Sequence, residues 1–129
     1  MLKQLFKNAF QPKELKFGYN VEFVNGTWNH NPINKIKAGK CELKFENQTF
    51  IFKQDNETLT DNMSDVEKIR TWTFKGKQYF CIETRTYNEY KFSMPVIDNE
   101  TVKLALLKPL IRIADAFNID IQDDGESEE

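Results

Sequence analysis

The residues most able to do chemistry lie between Tyr79 and Met94, in the stretch YFCIETRTYNEYKFSM. Aromatic side chains are mixed there with acidic and basic ones, a combination shared by nucleic-acid readers, protein-docking patches and half-buried strands. The whole chain carries 18 basic and 20 acidic residues, a formal net charge of -2. Because phosphate backbones are bound mainly through positive charge, this balance disfavours nucleic-acid binding. The outward-facing side chains of the stretch from Tyr79 to Met94 are therefore a candidate protein-docking patch: Tyr79, Arg85 and Tyr87.

A second candidate site is the lysine-rich region from Lys35 to Lys44. It offers four ammonium groups for an anionic ligand, on Lys35, Lys37, Lys40 and Lys44. The region contains no Arg, and Glu42 and Glu46 lie within or beside it. Since Lys is a point charge rather than a planar fork, the pattern predicts only a weak, salt-sensitive site for an acidic lipid headgroup.

The sequence contains few residues that could support catalysis or bind a metal. His30 is the only histidine, so a multi-histidine metal site is excluded. Cys41 and Cys81 lie too far apart for two closely spaced zinc-binding pairs, and we predict that both are small buried side chains, with a disulfide as the alternative. The five glycines are too scattered for a phosphate-binding loop. We expect no cofactor, no metal and no catalysis.

An enzyme would need a pocket lined by Tyr79, Glu83, Tyr87 and Tyr90, as in a cone-shaped half-barrel of the nuclear-transport-factor type. Such folds usually place longer helices before the sheet, and this sequence lacks them. Pairing across strands with Arg or Lys is the more ordinary role for the carboxylates. A small half-barrel enzyme or ligand-binding protein is therefore the second alternative.

The elements that must position these residues are mainly strands. A chain of 129 residues is the size of a single domain, assigned here to residues 1–121. Between 16 and 94 apolar residues recur at every second position, which predicts six or seven antiparallel strands. In the hairpin of the opening stretch, one face is predicted to be buried: Phe80, Ile82, Tyr90 and Phe92. The segment DNETLTDN is polar and predicts a turn.

Helices are predicted at both ends of this strand region. Apolar residues at three- and four-residue spacing predict a short N-terminal helix over 2–11 and an amphipathic helix over 99–117. Pro109 lies inside the second helix and predicts a kink, or a break that restarts it. Residues 122–129 carry five acidic side chains and no apolar one, which predicts a disordered tail.

A meander of strands closed by a C-terminal helix resembles the pleckstrin-homology (PH) superfold, and within it the GRAM and bacterial PH-like branch. The segments that carry the resemblance are AGKCELKFENQTFIF, NMSDVEKIRTW and FCIETRTYNEYKF, within residues 17–117. It implies an antiparallel β-sandwich or half-barrel capped by one helix.

The same resemblance implies a non-catalytic module that binds phosphoinositides or protein surfaces. Lipid-binding members carry a basic motif beside the loop joining their first two strands, where this chain has only lysines. A protein-interaction module is therefore the expected function, including a small acidic inhibitor or immunity-type protein. An exposed sheet edge or the groove beside the helix would accept the partner, and the acidic tail would steer a basic one.

Neither a signal peptide nor a membrane span is evident in the sequence, which predicts a cytoplasmic protein. A protein partner is expected, a lipid headgroup is the alternative, and the oligomeric state stays open.

Overall fold

The computed structural model describes residues 17–46, 48–94 and 100–126, with side chains described for residues 20–46, 48–94 and 107–126. These residues form nine strands and one helix: β1 Phe17–Trp28, β2 Asn31–Pro32, β3 Gly39–Glu46, β4 Thr49–Gln54, β5 Glu57–Asn62, β6 Val66–Phe74, β7 Lys77–Thr84, β8 Glu89–Ser93, α1 Glu100–Ala116 and β9 Asp120–Glu126. A short 3-10 turn, Met63–Asp65, joins β5 to β6. The predicted class, mainly β with a C-terminal helix, is confirmed.

The strands form one open sheet in the order β5-β4-β3-β1-β8-β7-β6-β9, with the two-residue β2 paired to β1. Every pairing is antiparallel except that of β6 with β9, which is parallel. The long strand β1 shifts register between Phe23 and Asn25 where it pairs with β8. At Gly26 it approaches β8 so closely that a Cβ would lie 2.5 Å from the carbonyl oxygen of Glu89, a contact that only glycine avoids.

The sheet curls over on itself to enclose the core. Two strands, β3 and β1, separate β4 from β8, which in a flat sheet would place them about 14 Å apart. Ring centroids of Phe52 and Phe92 are nevertheless only 5.3 Å apart, and those of Phe50 and Tyr90 5.4 Å. The predicted burial of Phe80, Ile82, Tyr90 and Phe92 is confirmed, as is that of Cys41 and Cys81, which are free thiols.

Helix α1 contributes Leu110, Ile113 and Ala114 to the same core, at the spacing that the sequence pattern predicts. The helix runs from Glu100 to Ala116 without interruption, so the predicted alternative of a break at Pro109 is wrong. Among the described residues, no helix has the length and apolar character that crossing a membrane requires. The predicted N-terminal helix over 2–11 lies outside the described residues.

Two strands were not predicted, and both lie at the edges of the sheet. The polar segment read as a turn forms β5, and β9 takes up part of the segment that was predicted as a disordered tail. That prediction is wrong for residues 122–126, whereas 127–129 lie outside the described residues. An edge strand has little of its surface buried, so its sequence lacks the apolar alternation that marks central strands. Together with the two-residue β2, strands β5 and β9 bring the number of strands to nine, above the predicted six or seven.

Candidate functional site

One candidate surface is the outward side of β6, β7 and β8, here called the outer face. A groove of about 480 Å³ runs across it and is lined by Asn25, Gly26, Thr27, Arg70, Trp72, Cys81, Glu89, Lys91 and Asp124. The rings of Trp72 and Tyr79 stack with centroids 5.6 Å apart and an interplanar angle of 7°. The Lys91 ammonium lies 5.6 Å from the Trp72 ring centroid, within cation–π distance.

Charged groups on the outer face pair with one another. The Arg70 guanidinium lies 2.9 Å from Asp124 of β9 and 3.9 Å from Glu83. Near the other end of β7, Lys77 contacts Glu22 at 2.7 Å. The hydrogen bond from Lys77 lowers the pKa of Glu22, as hydrogen bonds from Gln122 and then Arg70 lower the pKa of Asp124. These pairs leave the outer face close to electrical balance.

A group of metal-ligating atoms also lies on the outer face. Cys81, Glu83 and Glu89 place one ligand atom each within 4.8 Å of one another, and no other such group occurs within 17–46, 48–94 and 100–126. Burial, and then the neighbouring carboxylates, raise the pKa of the Cys81 thiol to about 12. The thiol is therefore protonated at neutral pH and is a poor ligand in that form. The nearby Arg70 further disfavours a bound cation.

The second candidate surface lies at one end of the sheet and is here called the mouth: Trp28 to His30, Thr60 to Asp65 and Arg85 to Asn88. Three connections meet there, namely the β1–β2 turn, the β5–β6 link and the β7–β8 turn. A cleft of about 560 Å³ opens between them. Its lining is polar except for one indole ring: Trp28, Asn29, Thr60, Asp61, Asn62, Asp65, Thr86 and Asn88.

The floor of this cleft is the carboxylate of Asp61, a side chain only 8% exposed. Its Oδ2 accepts a hydrogen bond from the Tyr90 hydroxyl at 2.6 Å and another from the Asn88 amide at 3.0 Å. Its Oδ1 accepts one from the backbone N–H of Asn62 at 2.8 Å. Burial, and then the bond to Asp61, raise the pKa of Tyr90, so this hydroxyl stays protonated and donates.

Two turns at the mouth are locked together. The backbone N–H of Asn29 donates to the Asn88 side-chain oxygen at 2.8 Å, and the rings of His30 and Tyr87 stack at 4.5 Å. Both ring-bearing residues have left-handed backbones, with φ of 70° at His30 and 67° at Tyr87. Such a conformation is costly for a bulky residue and persists where the surroundings enforce it, which is common at functional sites.

The mouth combines exposed aromatic rings with acidic groups that form no ion pair within the described part of the chain. Trp28 is 43% exposed and Tyr87 62% exposed, and Ile111 on α1 is the other exposed large apolar side chain in the described part of the chain. Over the same residues, no Lys, Arg or His nitrogen lies within ion-pair distance of Asp61 or Asp65. The mouth is therefore a rigid, aromatic surface around a cleft that is lined by two acidic side chains and no basic one.

The predicted docking patch is divided between the two surfaces. Tyr79 lies on the outer face beside Trp72, whereas Arg85 and Tyr87 lie in the turn after β7, at the mouth. The structure therefore brings two of the three residues together. Arg85 is anchored there by its backbone N–H, which donates to the carbonyl oxygen of Asp65 at 2.9 Å.

The four residues of the enzyme alternative do not line a common pocket. Tyr90 is fully buried in the core, Glu83 points to the outer face, and Tyr87 is exposed at the mouth. Tyr79 lies with the outer-face aromatics. That predicted pocket is wrong because successive residues of a strand point to opposite faces and because Tyr87 belongs to a turn.

The lysine region is present, but its positive charge is partly offset. Lys35 lies 3.7 Å from Glu57, and Lys44 lies 3.0 Å from Glu42, which raises the Lys44 pKa. The backbone of Lys37 bonds to the side chain of Gln54 through both its N–H and its carbonyl oxygen. Lys40 lies opposite Glu22 in the β1–β3 ladder.

Three residues of the mouth were missed by sequence reasoning as site residues: Trp28, Asp61 and Asn88. A signal existed for Asp61, since it lies two residues after Leu59 in a β-type alternation and therefore shares its inward face. Asn88 and Trp28 carry no comparable signal, because their roles depend on contacts between distant turns.

Comparison with known proteins gives a fold and no family. No family model matches the sequence, and no curated protein matches it. Among solved structures, the chain is similar to a chain of the Spt16D Pob3N heterodimer, with 12% identity and a TM-score of 0.55. The match covers 88% of this chain and 57% of that one, so this chain spans little more than half its length. It supports the PH-like fold predicted from the sequence, while the GRAM branch stays a prediction.

Proposed function

We propose that this protein is a non-catalytic protein-interaction module of the PH-like type and that the mouth is its docking surface. The observation that carries the proposal is that exposed Trp28 and Tyr87 accompany a cleft whose Asp61 and Asp65 have no ion-pair partner among the described residues. The chain that it resembles in fold belongs to a heterodimer, which is compatible with this role.

The residue types and their rigidity both favour binding. Trp and Tyr are enriched among the residues that contribute most to interface affinity, because they bury large area with few rotatable bonds. Stacking on His30 and the left-handed backbone fix Tyr87 before any partner arrives. A fixed side chain loses little entropy on binding, so more of the contact energy contributes to affinity.

The charge of the mouth sets the chemistry of the partner. Asp61 and Asp65 create a negative potential in a partly enclosed cleft, which attracts a basic surface and raises its association rate. An acidic inhibitor or immunity-type protein is one version of this role, and a cytoplasmic location belongs to the same proposal. We assign the attraction of a basic partner to Asp61 and Asp65 rather than to residues 122–129, because Asp124 in that segment already pairs with Arg70.

Binding of an acidic lipid headgroup through the lysine region has less support. Two of its four lysines contact carboxylates, and the region contains no arginine. Sedimentation with phosphatidylserine vesicles at rising salt tests this alternative. Retention at low salt that is lost in the Lys35→Gln/Lys37→Gln double variant would support it over the mouth proposal.

Site-specific photo-crosslinking tests the docking surface. Tyr87 is replaced by p-benzoyl-phenylalanine in the full chain, and Ile111, an exposed apolar residue on α1, receives the same group as a matched control. In extracts of the native cell we expect one discrete crosslinked protein from position 87 and none from position 111. Adding the Trp28→Ala change to the position-87 variant should remove that product. Equal crosslinking at both positions would contradict the proposal.

A further inference from the structure

We infer that the cleft at the mouth receives the side-chain ammonium group of a lysine from the partner. The inference rests on the proposed function and adds to it the identity of the group that enters the cleft. Three features carry it: a buried carboxylate without a counter-ion, the number of acceptor positions left on that carboxylate, and an indole wall.

The first feature is the uncompensated charge of Asp61. Three neutral groups donate to it: the Tyr90 hydroxyl, the Asn88 amide and the Asn62 backbone N–H. These bonds fix the position of the carboxylate, but they bring no positive charge. Burying an unpaired carboxylate costs far more than burying a paired one. A cation that enters the cleft therefore gains an attraction to this carboxylate.

The second feature is the number of hydrogen bonds that Asp61 can still accept. A carboxylate offers about four lone-pair positions, two on each oxygen. Oδ2 already accepts two hydrogen bonds and Oδ1 accepts one, so one position remains, on Oδ1. A guanidinium fork that binds both oxygens in parallel needs a free position on each. A single N–H donor of an ammonium group needs only one.

Asp65 supplies a second acceptor for the same ammonium group. It lines the cleft together with Asp61, and its Oδ2 accepts only one long hydrogen bond, 3.4 Å from the Asn62 side-chain amide. An ammonium group carries three N–H donors around one nitrogen, so it can bridge two carboxylates of this kind. Its compact shape suits the site better than a planar guanidinium does.

The third feature is the indole ring of Trp28. It is the one aromatic side chain among the residues that line the cleft, and it remains 43% exposed. A cation over an indole face gains cation–π attraction, and the four methylenes of a lysine stem can pack along the ring. A neutral apolar side chain would gain the packing alone.

The experiment is a titration of the full-length, ¹⁵N-labelled protein with capped Gly-Ser-X-Ser-Gly peptides, in which X is lysine, arginine or norleucine. We expect the lysine peptide to shift the Trp28 indole N–H and the Thr60 and Asn88 backbone signals. Affinity for the arginine and norleucine peptides should be at least about fivefold lower. Equal binding of lysine and norleucine, or tighter binding of arginine, would overturn the inference.

Two variants and a control locate the ammonium. Asp65→Asn and Asp61→Asn should each weaken lysine-peptide binding about tenfold, since each removes a charge-assisted hydrogen bond. Asp115→Asn, at an exposed acidic position on α1, should leave it unchanged. Asp65 is only half-buried and its side chain accepts one long hydrogen bond, so Asp65→Asn stays informative if Asp61→Asn folds poorly. An unchanged affinity in Asp65→Asn would contradict the inference.

A free amine distinguishes a partner lysine from a small ligand. n-Butylamine, titrated in the same way, should bind more weakly than the lysine peptide because it lacks flanking backbone contacts. Binding as tight as that of the peptide would assign the cleft to a free amine instead. If none of the peptides binds while position 87 still gives a discrete crosslinked product, the docking surface is supported and the assignment of a lysine to the cleft is wrong.

Discussion

The mouth and the outer face both place charged and aromatic residues together, but they differ in how far their charged side chains are paired within the chain. On the outer face the strongest charge contacts are made within the chain, by Arg70 with Asp124 and by Lys77 with Glu22. At the mouth Asp61 is held by neutral donors only. A surface whose charges are already paired gains little from binding a charged ligand. A surface with an unpaired, fixed charge gains more, because the ligand supplies the missing partner.

The two regions also differ in what their polar contacts do for the fold. Outer-face pairs are solvent-exposed, and exposed ion pairs contribute little to stability because water and salt screen them. The hydrogen bonds at the mouth are buried or part-buried, and they join the β1–β2 turn and the end of β5 to the β7–β8 turn. Breaking one of them leaves a buried polar group without a partner, which is the costly case.

The largest effect is expected from Asn88→Ala at the mouth. The change removes the donor to Asp61 and the acceptor for the Asn29 backbone N–H, both over buried or half-buried surface. We expect the free energy of unfolding to fall by roughly 2 to 4 kcal/mol, measured by urea denaturation. Thr58→Ala, at an exposed position on β5, serves as the control, and a loss no larger than in that variant would contradict the proposed role of the network.

A smaller loss is expected from Tyr90→Phe. The ring keeps its contacts with Phe50 and Phe52, so only the hydroxyl bond to Asp61 disappears. We expect about 1 to 2 kcal/mol of destabilisation, since a charged acceptor loses one donor. The variant also frees one acceptor position on Oδ2, and the arginine peptide should then bind closer to the lysine peptide. If the preference for the lysine peptide over the arginine peptide stayed unchanged, the number of free acceptor positions on Asp61 would not be what disfavours arginine.

The central fold could be predicted because its pattern is local. Alternation along β7 and β8 assigns Phe80, Ile82, Tyr90 and Phe92 to the core, and all of them are buried. The edges could not be predicted in this way. Strand β9 forms because Ile119 and Ile121 pack against the core and its backbone pairs in parallel with β6, a partner about 50 residues earlier in the sequence.

The mouth was harder to predict than the fold for the same reason. Asp61 and Asn88 are far apart in sequence and become neighbours only when the sheet curls. Tyr87 and Arg85 could be named from their types, but their separation from Tyr79 depends on where β7 ends. Residue type identifies candidate side chains, whereas the length and register of strands decide which of them meet.

The outer face should tolerate the loss of its central cation. We expect Arg70→Gln to lower the free energy of unfolding by less than about 1 kcal/mol, because its hydrogen-bonded pair with Asp124 is exposed to water and Glu83 lies 3.9 Å away. Affinity for the lysine peptide should stay within about twofold of the unchanged chain, since the cleft lies elsewhere. A loss above about 2 kcal/mol, or a loss of peptide binding, would remove the contrast between the two regions.

The smallest effect concerns the Glu22–Lys77 pair and appears only as a function of pH. The hydrogen bond from Lys77 lowers the pKa of Glu22 below its ordinary 4.5. A carboxyl group with a lower pKa in the folded state stabilises the fold above its unfolded pKa and loses that contribution as pH falls through the folded value. Since the pair is exposed, Glu22→Gln should cost only about a few tenths of a kcal/mol at pH 7.

That cost should disappear on acidification. Urea denaturation of both chains at pH 7 and pH 3 gives the comparison, and Glu67→Gln, which removes an exposed carboxylate that has no ion pair among the described residues, is the matched control. A difference between wild type and Glu22→Gln that grows as the pH falls would show that the carboxylate opposes folding. Its role as an internal counter-ion would then be wrong, and the outer face would no longer contrast with the mouth.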